Sequence, residues 1–249
     1  MNYIIYDLEF NQKYLSDTSE IPESPLKFPF EIIQIGALKL NENFETISTF
    51  NTLIKPTVYP VIHPYVENLT KITNYKLFSC ETFPKVYKDF IQFIGTDECV
   101  FCVWGLSDMK ELIRNVKFHN LSTSLIPKKY IDVQKYASKR FNIPKGLKIG
   151  LKTTVELLNI EFHDNFHDAY YDAYYTKEIF KIIYTPNMTP KTYNFNPIRR
   201  TSTPKEKIDT KALINQFEKM YNREMSEEEK AIIKLSYMMG KTNQFKTRP

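Results

Sequence analysis

Residues 3–10 read as a β-strand, apolar and β-rich on both faces, yet they carry Asp7 and Glu9 at alternate positions. Alternate positions of a strand share a face, so both carboxylates point one way near the strand's end while Leu8 and Phe10 point the other. Like charges packed side by side in an apolar setting are costly unless a cation neutralises them, and two hard oxygen ligands at this spacing suit Mg²⁺ or Mn²⁺. The pair alone fits a cation site or a solvated strand edge, and partners elsewhere in the chain decide between them.

The rest of the order of elements says what kind of sheet receives it. Residues 31–40 and 46–55 are further strands, joined by the turn-prone Asn41-Glu42-Asn43, so the chain starts as a meander. Residues 81–94 have helical spacing, 99–104 form a short buried strand, 107–116 a helix, 129–133 a strand, and 133–141, 151–158 and 168–184 helices. A meander followed by strand–helix alternation implies an α/β fold, a mixed sheet with helices on its faces. The long polar connection at residues 12–28 has the character of a lid or a plain surface excursion.

Composition closes off several alternatives. There are 6 glycines against 17 tyrosines and 18 phenylalanines, and no G-x-G-x-x-G. Gly240-Lys241-Thr242 lacks the second glycine of a phosphate loop, since Leu235 stands there, and reads as a helix end. No apolar run is long enough to span a membrane, and three cysteines suit a reducing interior; together these predict a soluble, cytoplasmic chain with no membrane partner. Cys99 and Cys102 sit three apart on a strand and face opposite ways, which favours core packing over a zinc site. Residues 185–249 hold 13 Lys and Arg against 7 Asp and Glu, so the first 184 residues are near neutral and the net +5 sits in the tail. The expected organisation is a domain at 1–184, a Pro-, Asn- and Thr-rich linker at 185–207 and a basic helical extension at 208–249. In that extension Asp209 caps one helix and a Ser226–Glu229 capping box opens a second, giving a C-terminal helical hairpin. Its basic face fits a grip on nucleic acid, and its apolar face fits docking on the main domain or on a protein partner.

Three more residues complete the acidic set. Asp108 follows the buried strand at 99–104 and opens a helix, where the functional groups of open α/β sheets collect. Asp172 lies inside an aromatic and apolar helix, a position of poor propensity for Asp, with His167 five residues before it. Asp168 is better explained as the cap of that helix. His63, His119 and His163 lack acidic or cysteine partners at ligand spacing.

Asp7 with Glu9, then Asp108, then His167 with Asp172 resembles the DEDDh group of the 3′–5′ exonuclease superfamily, over nearly all of residues 1–184. The tyrosine variant of that superfamily is excluded because Asp168 occupies its tyrosine position. Glu31-Ile-Ile-Gln-Ile-Gly36-Ala37, Phe50 with Ile54-Lys55-Pro56, and Leu69-Thr70-Lys71-Ile72-Thr73 look like the corresponding stretches of KapD-like and Eri-like exoribonucleases. The resemblance implies a ribonuclease H-like five-stranded mixed sheet, two divalent metal ions and release of nucleoside 5′-monophosphates from a free 3′ end. It further implies that Asp7 bridges both ions, that Glu9 and Asp172 hold the water-side ion, that Asp108 is peripheral, and that His167 is the general base.

Hydrolysis of a phosphodiester needs an activated water and a stabilised leaving oxygen, which two metals about 3.5–4 Å apart provide. Single strands are held by stacking and by cations along the backbone. The resemblance places main chain at Leu8 and Phe10 against the terminal nucleotide and Leu69 and Thr70 near its base, and it favours RNA over DNA. Trp104 fits packing and stacking equally. The competing readings are a proofreading-type DNA exonuclease and a non-catalytic nucleic-acid-binding module on the same fold.

Overall fold

The computed structural model describes residues 1–13, 28–162, 166–195 and 209–241. The connection expected as a lid or surface excursion, and His163, therefore lie mostly outside the described residues. The chain divides into two compact units, 1–196 and 197–249.

The first unit opens with β1 (Asn2–Gln12), β2 (Phe30–Leu40) and β3 (Thr46–Leu53), then α1 (Pro64–Thr70), α2 (Asn74–Leu77) and α3 (Phe83–Ile94). β4 (Cys99–Val103), α4 (Ser107–Phe118), β5 (Lys129–Asp132), α5 (Val133–Arg140), α6 (Leu151–Leu157), α7 (Ala169–Ile183) and β6 (Lys191–Thr192) follow. The sheet order is β3-β2-β1-β4-β5-β6, with β1–β2 and β2–β3 antiparallel, β1–β4 and β4–β5 parallel, and β5–β6 antiparallel. The expected mixed sheet is present with six strands rather than five. The added strand lies in the stretch expected to be linker, where Tyr193 donates its amide to the Lys128 carbonyl and Phe195 is buried in the core.

Side-chain alternation splits the interior into two apolar layers. Ile4, Tyr6 and Leu8 pack with Phe90, Phe101 and Leu112 under α3 and α4, while Tyr3 and Ile5 pack with Val100, Tyr175, Ile179 and Phe180 under α5 and α7. Cys99 belongs to the first layer and Cys102 to the second, so the pair is packing, as its spacing predicts. Asp7 and Glu9 continue the Tyr3–Ile5 face toward α7.

The second unit contains α8 (Thr210–Tyr221) and α9 (Glu227–Lys241). Asp209 accepts the Ala212 amide at 2.9 Å. Ser226 and Glu229 form the reciprocal capping box, the Glu229 amide donating to Ser226 Oγ at 3.2 Å and the Ser226 amide to Glu229 Oε2 at 2.9 Å. Among the described residues no helix is long and apolar enough to cross a membrane.

Candidate active site

The sheet directs four carboxylates to one place. Asp7 and Glu9 stand near the C-terminal end of β1, and the strand register breaks just after Glu9. β4 runs parallel to β1, so its C-terminal end, and Asp108 in the first turn of α4, lie at the same end of the sheet. Asp172 comes from the first turn of α7, which crosses the β1–β2 pair.

That crossing depends on β2. Gly36 pairs with Asp7 in the ladder, and a Cβ there would sit 2.1 Å from the Tyr170 amide nitrogen. No side chain fits between strand and helix at that point. Gln34, opposite Glu9, fixes the same approach: its amide donates to Asp168 at 3.2 Å and to Asn51 at 3.0 Å, and its carbonyl oxygen accepts the Ala169 amide at 3.2 Å. Asp168 accepts the Tyr170 and Tyr171 amides and caps α7, the role its sequence position indicates.

His167 precedes that cap in a left-handed conformation, φ 66°. Its amide donates to Asp172 Oδ2 at 3.3 Å, and ligand atoms of Glu9, His167 and Asp172 all lie within 4.8 Å of one another. The other Asp172 oxygen, Oδ1, is buried with no hydrogen-bond partner.

Electrostatics express the crowding. Burial, then Asp108, Asp172 and Glu9, hold the Asp7 carboxyl well above its usual range. Burial first and the neighbouring acids second push Glu9 to about 9, and burial is the largest cause that raises Asp108 and Asp172 each to about 7. Partial desolvation lowers the His167 pKa and so favours its neutral imidazole. Two buried and two half-buried acids, with one orphaned oxygen and, among the described residues, no ion pair to any of them, form a donor set of hard oxygens plus one imidazole, which fits Mg²⁺ or Mn²⁺.

Beside the acids lies a cavity of about 410 Å³. Glu9, Phe10, Leu69 and Thr70 line it, together with Tyr65 and Glu111. Leu8 does not: the residue is 3% exposed and its side chain belongs to the core under α3 and α4. The Thr70 hydroxyl is engaged with the Val66 carbonyl and the Ile72 amide, so it shapes the end of α1. Trp104 packs against the layer under α5 and α7, and His63 caps α1.

Sequence reasoning did not single out Tyr65 or Glu111. Glu111 lies three residues after Asp108, on the same helical face, which was the available signal. It is 5% exposed and paired with Arg114.

A ribonuclease H-like sheet carrying this acidic cluster is the architecture of exonucleases, and comparison with known proteins agrees. The exonuclease family RNase T matches residues 4–180, and the chain belongs to that family. The nuclease domain of 3′hExo, a DEDDh family member bound to rAMP, is similar at 21% identity and TM-score 0.64, covering 78% of this chain and 96% of that one. Cell-death related nuclease 4 has 19% identity and TM-score 0.57 over 73% of this chain and 62% of its own. E. coli exonuclease I in complex with a dT13 oligonucleotide has 16% identity and TM-score 0.57 over 73% and 40%. No curated protein sequence matches the chain.

Proposed function

We propose that this protein is a metal-dependent exonuclease that removes nucleoside 5′-monophosphates from the 3′ end of single-stranded nucleic acid, with RNA preferred. The observation that carries the reading is the convergence of Asp7, Glu9, Asp108 and Asp172, with Asp172 Oδ1 unpartnered and His167 within reach of Glu9 and Asp172. Preference for RNA rests on the resemblance in sequence and on a similar nuclease domain known with rAMP.

Asp7, Glu9, Asp108 and Asp172 would hold the divalent ions. Bound there, the ions supply positive charge at the attacking and leaving oxygens. Attack by water on phosphorus breaks the bond to the 3′ oxygen of the preceding nucleotide, and neutral His167 takes the water's proton. Phe10, Leu69 and Tyr65 present apolar and aromatic surface for the terminal base beside the acids.

The test is a time course on 5′-labelled single-stranded RNA and matched DNA with Mg²⁺ or Mn²⁺, beside Asp7→Ala and an EDTA control. The expected result is a ladder shortening one nucleotide at a time from the 3′ end, faster on RNA, and lost with EDTA or in the mutant. Wild-type turnover by Asp7→Ala would remove the metal assignment, faster loss of DNA would reverse the substrate preference, and binding without cleavage would leave a nucleic-acid-binding module.

A further inference from the structure

A second cavity, of about 360 Å³, opens two strands away from β1 at the same end of the sheet. β6 pairs only Lys129 and Tyr130 of β5, so Ile131 and Asp132 beyond that ladder line the opening. Lys135 and Lys139, one turn apart on α5, and Lys191 of β6 line it together with the half-buried Tyr130 and Tyr136. Among the described residues none of these three lysines is in an ion pair. Asp132 is the one acid lining the cavity, and its Oδ1 caps α5 through the Lys135 amide at 3.0 Å. The charge presented is therefore positive, the reverse of the cavity beside Glu9 and Glu111.

The two cavities are connected through one short turn. Leu106 lines the second cavity and lies two residues before Asp108. Lys148 Nζ approaches the same turn, 3.8 Å from where a Cβ of Gly105 would sit. β1, β4 and β5 are neighbours spaced by about 4.8 Å, so the openings are separated by about 10 Å along the sheet edge. A chain whose 3′ end sits at Asp7 and Glu9 can reach the lysines with its own backbone.

We propose that the cavity at the β5 edge is an anchor for the single-stranded nucleic acid a few nucleotides upstream of the 3′ end. Lys135, Lys139 and Lys191 meet its phosphates, and Tyr130 and Tyr136 give a base an aromatic surface. The anchor rests on the exonuclease reading, and it adds an affinity that depends on substrate length and leaves the reacting end alone.

The experiment compares the full chain with Lys135→Glu/Lys191→Glu and with Lys135→Arg/Lys191→Arg, on a dinucleotide and a twelve-nucleotide RNA. For the Glu variant KM on the long substrate rises at least about tenfold, while kcat and the short substrate are unchanged. Each lost phosphate contact lowers the dependence of log affinity on log salt by about 0.7, so the slope falls by about 1.4 or more. The Arg variant behaves as wild type. An equal rise in KM on both lengths, or none on either, overturns the anchor. If neither RNA is hydrolysed by any variant, the exonuclease reading fails by itself. Fluorescence anisotropy on the same labelled RNAs then decides the anchor: a length-dependent affinity lost in the Glu variant supports it, and affinity unaffected by the substitutions overturns it. Lys139→Gln, on an exposed helix face, is the second variant should the double substitution fail to fold.

Discussion

Burial and mutual repulsion set the behaviour of each acid at this site. Their folded-state pKa values lie above those of the unfolded chain, so the folded protein retains protons that unfolding releases. Stability is therefore greatest on the acid side and declines from about pH 4, where a free carboxyl titrates, through about 7 for Asp172 and about 9 for Glu9. In EDTA, the melting temperature of the wild type falls across that range, Asp172→Asn flattens the fall and melts higher at pH 8, and Mg²⁺ restores the wild type there. Differential scanning fluorimetry across pH reads all three effects, and a flat wild-type profile would contradict the crowding. Asp172→Asn also loses turnover, because it removes a metal oxygen. His167→Ala is expected to lose about 10²–10⁴-fold in kcat while retaining metal binding measured by calorimetry. With its pKa lowered by desolvation, the acid limb of the wild-type rate profile falls below the ordinary histidine range near 6.5. A decrease of only a few-fold would assign water activation to another group. That Asp7, Glu9, His167 and Asp172 come together was legible because alternate strand positions and the His–Asp spacing make acids conspicuous in apolar surroundings, whereas Asp108 alone reads as an ordinary first-turn acid. The left-handed turn at His167 was not legible, since nothing local to Phe166-His167-Asp168 demands it.

Elements hold the site through contacts that join distant stretches of chain. Gly36→Ala places a methyl against the backbone of Ala169 and Tyr170, which must move. Since overpacking a core costs about 1–3 kcal/mol even where side chains can yield, chemical denaturation should show at least that loss, and kcat should fall as Asp172 shifts. An unaltered kcat would mean that the helix start can move freely. The far wall of the Glu9 cavity depends on two buried polar groups. Glu31 accepts the Thr57, Val58 and Tyr59 amides, and Asn11 donates to the Tyr59 and Val61 carbonyls and accepts the His63 amide. They fix the segment that leads into α1. Glu31→Ala leaves three amides without their acceptor, and at about 1–3 kcal/mol for a buried unsatisfied group it should cost at least about 2 kcal/mol by urea titration, with KM raised more than kcat is lowered. The long elements were legible from apolar periodicity: five strands and the helices from 83 onward lie within a few residues of their expected bounds. α1, α2 and β6 were not: α2 and β6, of four and two residues, have too few positions to show a period, and α1 buries only Val66 and Thr70. Their stability comes from tertiary partners such as Glu31, Asn11 and the β5 edge.

The two units of the molecule divide the core from the charge. The apolar layers are built from residues up to Phe195, whereas residues 197–249 carry 12 Lys and Arg against 7 Asp and Glu, the whole net charge of the chain. The composition shift at Thr185 marks where periodicity fades, but the core closes later, since Met188 and Phe195 are buried and β6 extends the sheet. Two truncations separate these boundaries. Ending the chain after Tyr184 removes two buried side chains at about 1.5–3 kcal/mol each and bares the β5 edge, so this form should melt well below the full chain. Ending it after Asn196 retains all of that, and its melting transition and its kcat on a short RNA should match the full chain. Its affinity for a long RNA at low salt should drop, with a shallower salt dependence, because a basic segment attracts phosphates whatever its fold. If the salt slope is unchanged while catalysis is intact, the hairpin of α8 and α9 serves a protein partner and its charge is a solvated face. A loss of kcat on the short RNA would instead place part of the catalytic unit beyond Asn196, against the partition of the fold.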